Sequence, residues 1–254
     1  MDKKPGSVPP RHPLRVSVAE AREWQERLRG EVRCDVHLDP GKVRLVAGTD
    51  ISYLREKRLA LGAAVLMTYP DLELLEVGTS CVEVDFPYVP GLLSFRELPA
   101  LLPALEKLGS RPDLVFVDGQ GIAHPRGCGL ASHLGVITGL PTIGCAKSRL
   151  LGDAREPGNE VGDWTPLVHG GRTVGAVLRT RAGVKPLYVS VGHLVDLSSA
   201  IAMVLSCLRG TRLPEPQRRA HQVTAELKRR ARAGGEKYRY QCLPGRFTTR
   251  AGMP

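Results

Sequence analysis

The chain has 254 residues, 42% of them apolar, which is enough for one large globular domain with a sizeable core. Its 36 basic and 26 acidic residues give a formal net charge of +10, a balance typical of proteins that bind a polyanion such as a nucleic acid. The lack of a long apolar run excludes a membrane span, and six scattered cysteines without a Cys-x-x-Cys pair argue against a zinc site or a disulfide framework.

The first third of the chain predicts an arm, a helix and three strands. Residues 1–15 are basic and rich in proline, which predicts a disordered arm. Ser17 then caps a helix over residues 18–33, because Glu20 completes a capping box. Three strand-like runs follow with short connections, which predicts an antiparallel meander. These runs are residues 42–53, 57–69 and 72–84.

A strand–helix–strand unit occupies the middle of the chain. Residues 114–117 form a short apolar run that predicts a buried strand, with Asp118 at its carboxyl end. Residues 129–137 have helical spacing, and residues 140–143 return as a second strand. Ligands bind at the carboxyl ends of the strands in such a unit, and Asp118 lies there.

The remaining elements complete a mixed sheet. A helix over residues 94–108 precedes the central unit and begins at Ser94 or Leu98, because Pro99 leaves its first turn uncertain. The later elements are a hairpin at 164–181, a strand at 185–191, a helix from 196 to 209 and a basic helix at 215–232. We therefore predict an α/β fold with helices around a mixed sheet in one domain, residues 16–232, followed by a loose basic tail at 233–254.

Three carboxylates are candidates for a metal site. If the first strand and the strand at 114–117 are neighbours, Asp50 and Asp118 meet at one edge of the sheet, and Glu97 lies on the helix between them. Clustered carboxylates need a cation, and oxygen ligands favour Mg²⁺ or Mn²⁺ over zinc. Such a site suits phosphodiester hydrolysis. A structural interpretation stays open for each residue, because the aspartates also fit turns and Glu97 fits a capping box with Ser94.

Two segments resemble the signature motifs of the endonuclease V family. They are Pro87-Tyr-Val-Pro-Gly-Leu-Leu-Ser-Phe-Arg-Glu97 and Val117-Asp-Gly-Gln-Gly-Ile-Ala-His-Pro-Arg126. Further matches at residues 47–53, 129–133, 140–148, 188–193 and 212–221 keep the same order along the chain. The resemblance implies a ribonuclease H-like fold and a Mg²⁺-dependent endonuclease, with Mn²⁺ as a substitute. It implies recognition of deoxyinosine in DNA, with inosine in RNA as a second substrate, and hydrolysis of the second phosphodiester bond 3′ to the lesion, leaving a 3′-OH and a 5′-phosphate.

The resemblance also assigns catalytic roles to five residues. Asp50 and Asp118 would hold the metal, and Glu97 would complete the catalytic cluster. Lys147 would lie near the scissile phosphate, and His221 would lie beside the metal. The structural alternatives are a solvated charge at a strand end for Lys147 and a surface helix residue for His221.

The same resemblance predicts a nucleic-acid surface. Residues 87–90 would form a wedge that inserts into the duplex, with the ring of Tyr88 stacking in the gap left by a flipped base, although a buried tyrosine that anchors the loop is the alternative. The hypoxanthine ring would approach bare backbone at two glycines, and Arg96 and His124 would contact phosphate or help to hold the site. The full predicted set is Pro87, Tyr88, Val89, Pro90, Leu93, Arg96, Gly119, Gly121 and His124.

Two other functions remain open at this stage. Another ribonuclease H-like nuclease would have no preference for inosine and no wedge. A non-catalytic nucleic-acid-binding protein would need only the positive charge, but clustered carboxylates would repel its ligand unless a metal were present. We expect a cytoplasmic monomer without a membrane partner.

Overall fold

The computed structural model describes residue 13 and residues 15–233 of the chain. Apart from residues 13, 15 and 233, the predicted arm and tail lie outside the described residues. Within them, no helix is long and apolar enough to cross a lipid bilayer.

In the part of the chain that the structure describes, one mixed sheet of eight strands organises the fold, in the order β3-β2-β1-β4-β5-β8-β7-β6. The strands β1 to β3 pair antiparallel, as the predicted meander requires. The strands β4 and β5 pair parallel, and β4 also pairs parallel with β1. The predicted mixed sheet is therefore confirmed. The strands are β1 Leu45–Leu54, β2 Leu59–Thr68, β3 Leu74–Glu83, β4 Leu114–Val117, β5 Thr142–Ala146, β6 Trp164–His169, β7 Arg172–Leu178 and β8 Leu187–His193.

Within the described residues, five α-helices cover the two faces of the sheet. Alternate residues of β4 point to opposite faces, so Phe116 packs with the side chains of α4 and Val115 packs with those of α2 and α3. The predicted capping box of α1 is present, since Ser17 N–H donates to Glu20 at 2.7 Å and Glu20 N–H donates back at 3.3 Å. The helices are α1 Val18–Glu31, α2 Leu93–Glu106, α3 Leu130–Thr138, α4 Leu197–Ser206 and α5 Glu215–Ala233.

The helix α2 begins within one residue of the predicted Ser94, but neither Ser94 nor Leu98 is its cap. Its N-cap is Leu92, and no side chain caps it. Ser94 lies inside the first turn and its hydroxyl lies 2.9 Å from Nδ1 of the buried His133, so Ser94 and Glu97 do not form a capping box. Pro99 lies within the helix, because burial of the apolar face of α2 against the sheet outweighs the missing backbone hydrogen bond.

The helix α5 crosses the strand β1 in close contact. Gly48 of β1 leaves room for this approach, because a Cβ atom there would lie 2.1 Å from the backbone carbonyl of Pro216. The buried Gln217 fixes the same end of α5 by donating to the Cys145 carbonyl of β5 at 3.0 Å. The next turn of α5 consequently lies over Asp50.

Candidate active site

The register of β1 and β4 brings two carboxylates together. Thr49 pairs with Val117 in the parallel ladder, and the next residues along the two strands are Asp50 and Asp118. The sequence-based expectation that these strands are neighbours is confirmed. The two carboxyl groups are close enough that Asp118 contributes to raising the pKa of Asp50.

Asp50 is held by two side chains of α5. The residue is only 4% exposed, and its Oδ2 accepts a hydrogen bond from the Thr224 hydroxyl. Nδ1 of His221 lies 3.3 Å from the same oxygen, while about half of the His221 side chain remains exposed. Burial raises the pKa of Asp50 to about 6, although the Thr224 hydrogen bond acts in the opposite direction.

Glu97 reaches the site from the first two turns of α2. Burial raises the pKa of Glu97 to about 8, and the nearby charges of Asp118 and Asp50 raise it further. The buried Tyr53 hydroxyl lies beside Glu97 and Arg96 without a hydrogen bond of ordinary geometry. Asp50, Asp118 and Glu97 together form an oxygen donor set suited to a hard divalent cation.

Lys147 follows β5 and faces Asp118. Its ammonium nitrogen lies 2.5 Å from Oδ2 of Asp118, and the two side chains are 40% and 22% exposed. The Arg212 guanidinium supports this turn by donating to the Lys147 carbonyl and to the Pro186 carbonyl, both at 2.6 Å. Within residues 15–233, no three His, Cys, Asp or Glu side chains converge closely enough in this structure to form a ready-made ligand group.

A cavity of about 480 Å³ opens beside the carboxylates. It joins most of the residues that the sequence predicts for the site. Those in its wall are Asp50, Tyr88, Pro90, Leu93, Glu97, Asp118, Gly119, His124 and Lys147. The remaining predicted residues lie outside the wall; they are Pro87, Val89, Arg96, Gly121 and His221.

Residues 87–90 form an exposed loop at the rim of this cavity. Tyr88 is 70% exposed, so the alternative of a buried tyrosine that anchors the loop is wrong. Val89 instead turns inward and packs against a small apolar cluster that contains Phe86 and Leu92. The ring of Tyr88 is therefore free to contact a partner.

The two predicted glycines have different surroundings. Gly119 lies in the cavity wall, where an added Cβ atom would lie 3.3 Å from that of Leu130. Gly121 is buried in the sheet, its N–H donates to Ser190 Oγ at 2.7 Å, and an added Cβ would lie 1.8 Å from the Val191 carbonyl oxygen. Close backbone packing, and not an open cavity, requires the glycine at position 121.

Arg96 and His124 support the loop in this structure. Arg96 donates to the Phe86 carbonyl at 2.6 Å, and its guanidinium lies 5.1 Å from the ring centre of Tyr53. Burial lowers the pKa of His124 to about 4, and the Arg126 charge adds to this effect. Burial therefore favours the neutral form of the His124 imidazole.

Sequence reasoning missed three residues that support the site. Thr224 lies one turn after His221, so helical spacing could have indicated that it shares the same face. Tyr53 lies three positions beyond Asp50 on β1 and ends the matching segment 47–53, which was the signal that could have marked it. Gln25 is a buried polar residue of α1, and only its place on the inner face of the predicted helix marks it.

Comparison with known proteins identifies the family. The model of the endonuclease V family matches residues 26–222. Endonuclease V of Roseiflexus sp. (strain RS-1) is 51% identical over 208 residues, which cover 82% of this chain and 92% of that protein. The crystal structure of endonuclease V from Streptomyces avermitilis is 44% identical, with a TM-score of 0.82 over 86% of this chain and 96% of that one.

A second solved structure includes nucleic acid. Endonuclease V of Ciona intestinalis, in complex with a 24-mer DNA containing an inosine followed by a ribo-adenosine, is 30% identical, with a TM-score of 0.72. The match covers 84% of this chain and 98% of that one. With the family model matching most of the chain and a curated relative half identical to it, this chain belongs to the endonuclease V family of nucleases.

Proposed function

We propose that this protein is a Mg²⁺-dependent endonuclease that recognises deoxyinosine in DNA and hydrolyses the second phosphodiester bond on its 3′ side. The products would be a 3′-OH and a 5′-phosphate. The observation that carries the proposal is the pairing of Asp50 with Asp118 beside a cavity whose rim bears the exposed Tyr88. The Ciona intestinalis relative, which binds inosine-containing DNA, supports the choice of lesion.

The metal proposal depends on the donor set. Asp50 and Asp118 would hold Mg²⁺ through hard oxygen donors, Glu97 would complete the cluster, and Mn²⁺ would substitute for Mg²⁺. When bound, the metal would activate water for attack on the phosphodiester and stabilise the leaving oxygen. The raised pKa values of Asp50 and Glu97 are consistent with a site that is fully ionised only beside a cation.

The chain's own residues would supply orientation and charge. Thr224 and His221 fix the Asp50 carboxylate from α5. Lys147 holds a positive charge beside Asp118, where it can also meet a phosphate oxygen of the substrate. Tyr88 would stack in the gap left by the extruded base, and the cavity volume lies in the range of roughly 300–1,000 Å³ usual for small-molecule sites.

The decisive test is nicking of a labelled duplex that carries one deoxyinosine. Wild-type protein is incubated with Mg²⁺, Mn²⁺ or EDTA, beside an undamaged duplex and a strand in which a ribonucleotide follows the inosine. A metal-dependent cut one nucleotide beyond the lesion is the expected result. Inosine-containing RNA is the second substrate class to be assayed in the same way.

Other outcomes separate the competing functions. Equal cutting of damaged and undamaged duplexes would indicate a general nuclease and reject the lesion proposal. Binding without cutting in any divalent ion would indicate a non-catalytic binding protein. Asp118→Ala should bind the inosine duplex but leave it intact, and normal cutting by this variant would reject the metal assignment.

A further inference from the structure

We propose that Gln25 and Arg126 form an anchor that fixes the wedge loop, residues 87–90, against the cavity. Both residues would position this loop for the cleavage of lesions in duplex DNA. The inference rests on the proposed function and extends it to two residues that lie behind the cavity wall and do not themselves line the cavity. We call this pair the Gln25–Arg126 anchor.

The anchor converges on one backbone carbonyl at the end of the wedge loop. The carbonyl oxygen of Gly91 accepts from Nη2 of Arg126 at 2.6 Å and from Nε2 of Gln25 at 2.9 Å. Nε of Arg126 donates to Oε1 of Gln25, which joins the two side chains. Nε2 of Gln25 also donates to the Cys128 carbonyl at 2.7 Å, which ties the loop to the segment before α3.

The backbone at position 91 is shaped for this contact. Gly91 has a φ of +78°, a conformation that favours glycine. An added Cβ atom would lie 2.7 Å from Nη2 of Arg126, so any other residue would displace the guanidinium. The backbone N–H of Arg126 donates to Nδ1 of His124 at 3.2 Å, which connects the anchor to the cavity wall.

Burial requires that the polar atoms of Gln25 and Arg126 form hydrogen bonds within the protein. Gln25 is 1% exposed on the inner face of α1, where an amide without hydrogen bonds would be costly. Its oxygen accepts from Arg126 and its nitrogen donates to two carbonyls, an arrangement that neither Glu nor Leu can reproduce. Arg126 is likewise suited by its planar fork, since a lysine ammonium could not reach Gln25 and Gly91 in the same geometry.

The wedge loop is held at both ends with an exposed tip between them. At the other end, Arg96 donates to the Phe86 carbonyl at 2.6 Å. Within the loop, the Leu92 N–H donates to the Val89 carbonyl at 3.0 Å and closes a turn. A tip fixed in this way keeps its position when it contacts stacked bases, and Tyr88 lies at that tip.

The function of a fixed wedge depends on the form of the substrate. In a duplex the inosine must be unpaired and unstacked before it can enter the cavity, and the wedge must fill the gap. In a single strand the base is already largely free, so a loosened wedge costs little there. Loss of the anchor should therefore impair the duplex reaction selectively.

The first test compares cutting of deoxyinosine in a duplex and in a single strand by Arg126→Ala and Gln25→Leu. Each loses contacts to the Gly91 carbonyl, so we expect duplex cutting to fall roughly tenfold or more while single-strand cutting changes little. Arg126→Lys should recover part of the duplex activity, and Arg22→Ala, which removes an exposed arginine of the same α1 helix, should match the wild type. Unchanged duplex cutting, or an equal loss on both substrates, would overturn the proposal.

The second test does not require catalysis. Hydrogen–deuterium exchange at the Leu92 amide should be roughly tenfold or more faster in Arg126→Ala than in the wild type, because the turn opens more often. An unchanged exchange rate would overturn the anchor. If the wild-type protein cuts neither inosine substrate, the proposed function fails, and this exchange measurement still decides the anchor.

Discussion

The ammonium nitrogen of Lys147 lies 2.5 Å from Oδ2 of Asp118, at the point where two parallel strands end beside each other. The contact places a positive charge next to a carboxylate that shares the site with Asp50 and Glu97. Lys147 therefore has two roles open to it, since it reduces repulsion among the carboxylates and can bind a phosphate oxygen.

Replacing Lys147 by alanine should lower the rate of cleavage more than substrate affinity. We expect a loss of roughly 10²–10³ in kcat for Lys147→Ala, the usual effect of removing one group that stabilises developing charge. Single-turnover cutting of the deoxyinosine duplex measures the effect. Lys185→Ala, a control at another lysine just ahead of a strand of the same sheet, should leave the rate unchanged, and an unaltered rate in Lys147→Ala would limit this residue to a structural role.

The metal-free protein should become less stable as the pH rises from about 4 to 8. The pKa of Glu97 is about 8 in the folded chain against an ordinary 4.5, and that of Asp50 is about 6 against 3.8. Between the ordinary and the folded values, the folded chain keeps protons that the unfolded chain has released, so the free energy of unfolding falls with rising pH. Melting temperatures in EDTA across this range measure the effect.

When Mg²⁺ replaces EDTA in these melting experiments, the stabilisation that the metal provides should increase with pH. The metal binds ionised carboxylates, so its binding releases protons and its stabilising effect should grow as the pH rises through 6 to 8.

Glu97→Gln should flatten the decline in stability with pH that is expected in EDTA, because the substituted side chain no longer titrates. A decline of equal slope in Glu97→Gln would assign the pH dependence to other groups.

Replacing Tyr88 by alanine should weaken lesion binding without affecting folding. The side chain is 70% exposed, so its removal leaves no cavity in the core. Stacking of one base on an aromatic ring contributes roughly 1–3 kcal/mol, and Tyr88→Ala should lose binding energy in this range for the inosine duplex. Tyr88→Phe, which keeps the ring, should bind as the wild type does; loss of binding in both variants would indicate a role for the hydroxyl instead.

Thr224→Val should weaken Mg²⁺ binding without changing the packing around Asp50. Valine fills nearly the same volume as threonine but cannot donate to Oδ2 of Asp50. Groups that orient a metal ligand typically contribute roughly 10- to 100-fold in metal affinity or activity, and we expect a loss of that size in Mg²⁺ affinity. Titration calorimetry with Mg²⁺ measures it, Thr224→Ser is the matched control that keeps the hydroxyl, and equal affinity in the two variants would exclude the role.

The sequence predicts those parts of the site that depend on local residue patterns. Asp50 and Asp118 could be paired because each lies on a strand that the apolar pattern identifies, and parallel neighbours bring their ends together. The cap of α2 could not be predicted, since Leu92 occupies that position without a side-chain hydrogen bond and Pro99 lies inside the helix.

Contacts that depend on tertiary packing are not determined by local sequence patterns. The glycine at 121 matched the motif, but its role in the sheet depends on close packing against Val191, a residue far away along the chain. Thr224 reaches Asp50 because α5 packs closely against β1 at the position where it crosses that strand. Nothing in the local sequence sets that position, which is fixed by the close approach at Gly48.

Gly48 sets the distance between β1 and α5. An alanine Cβ at this position would lie 2.1 Å from the Pro216 carbonyl, so Gly48→Ala must displace the helix that carries Thr224. We expect a loss of roughly 1–3 kcal/mol in the free energy of unfolding, the usual cost of overpacking, together with weaker Mg²⁺ binding. Urea unfolding measures the first effect. Gly30→Ala is the matched control, since a Cβ atom at that helical position meets nothing within 4 Å, and it should be neutral or slightly stabilising. If Gly48→Ala unfolded at the same urea concentration as the wild type, the contact between α5 and β1 would not determine where Thr224 lies.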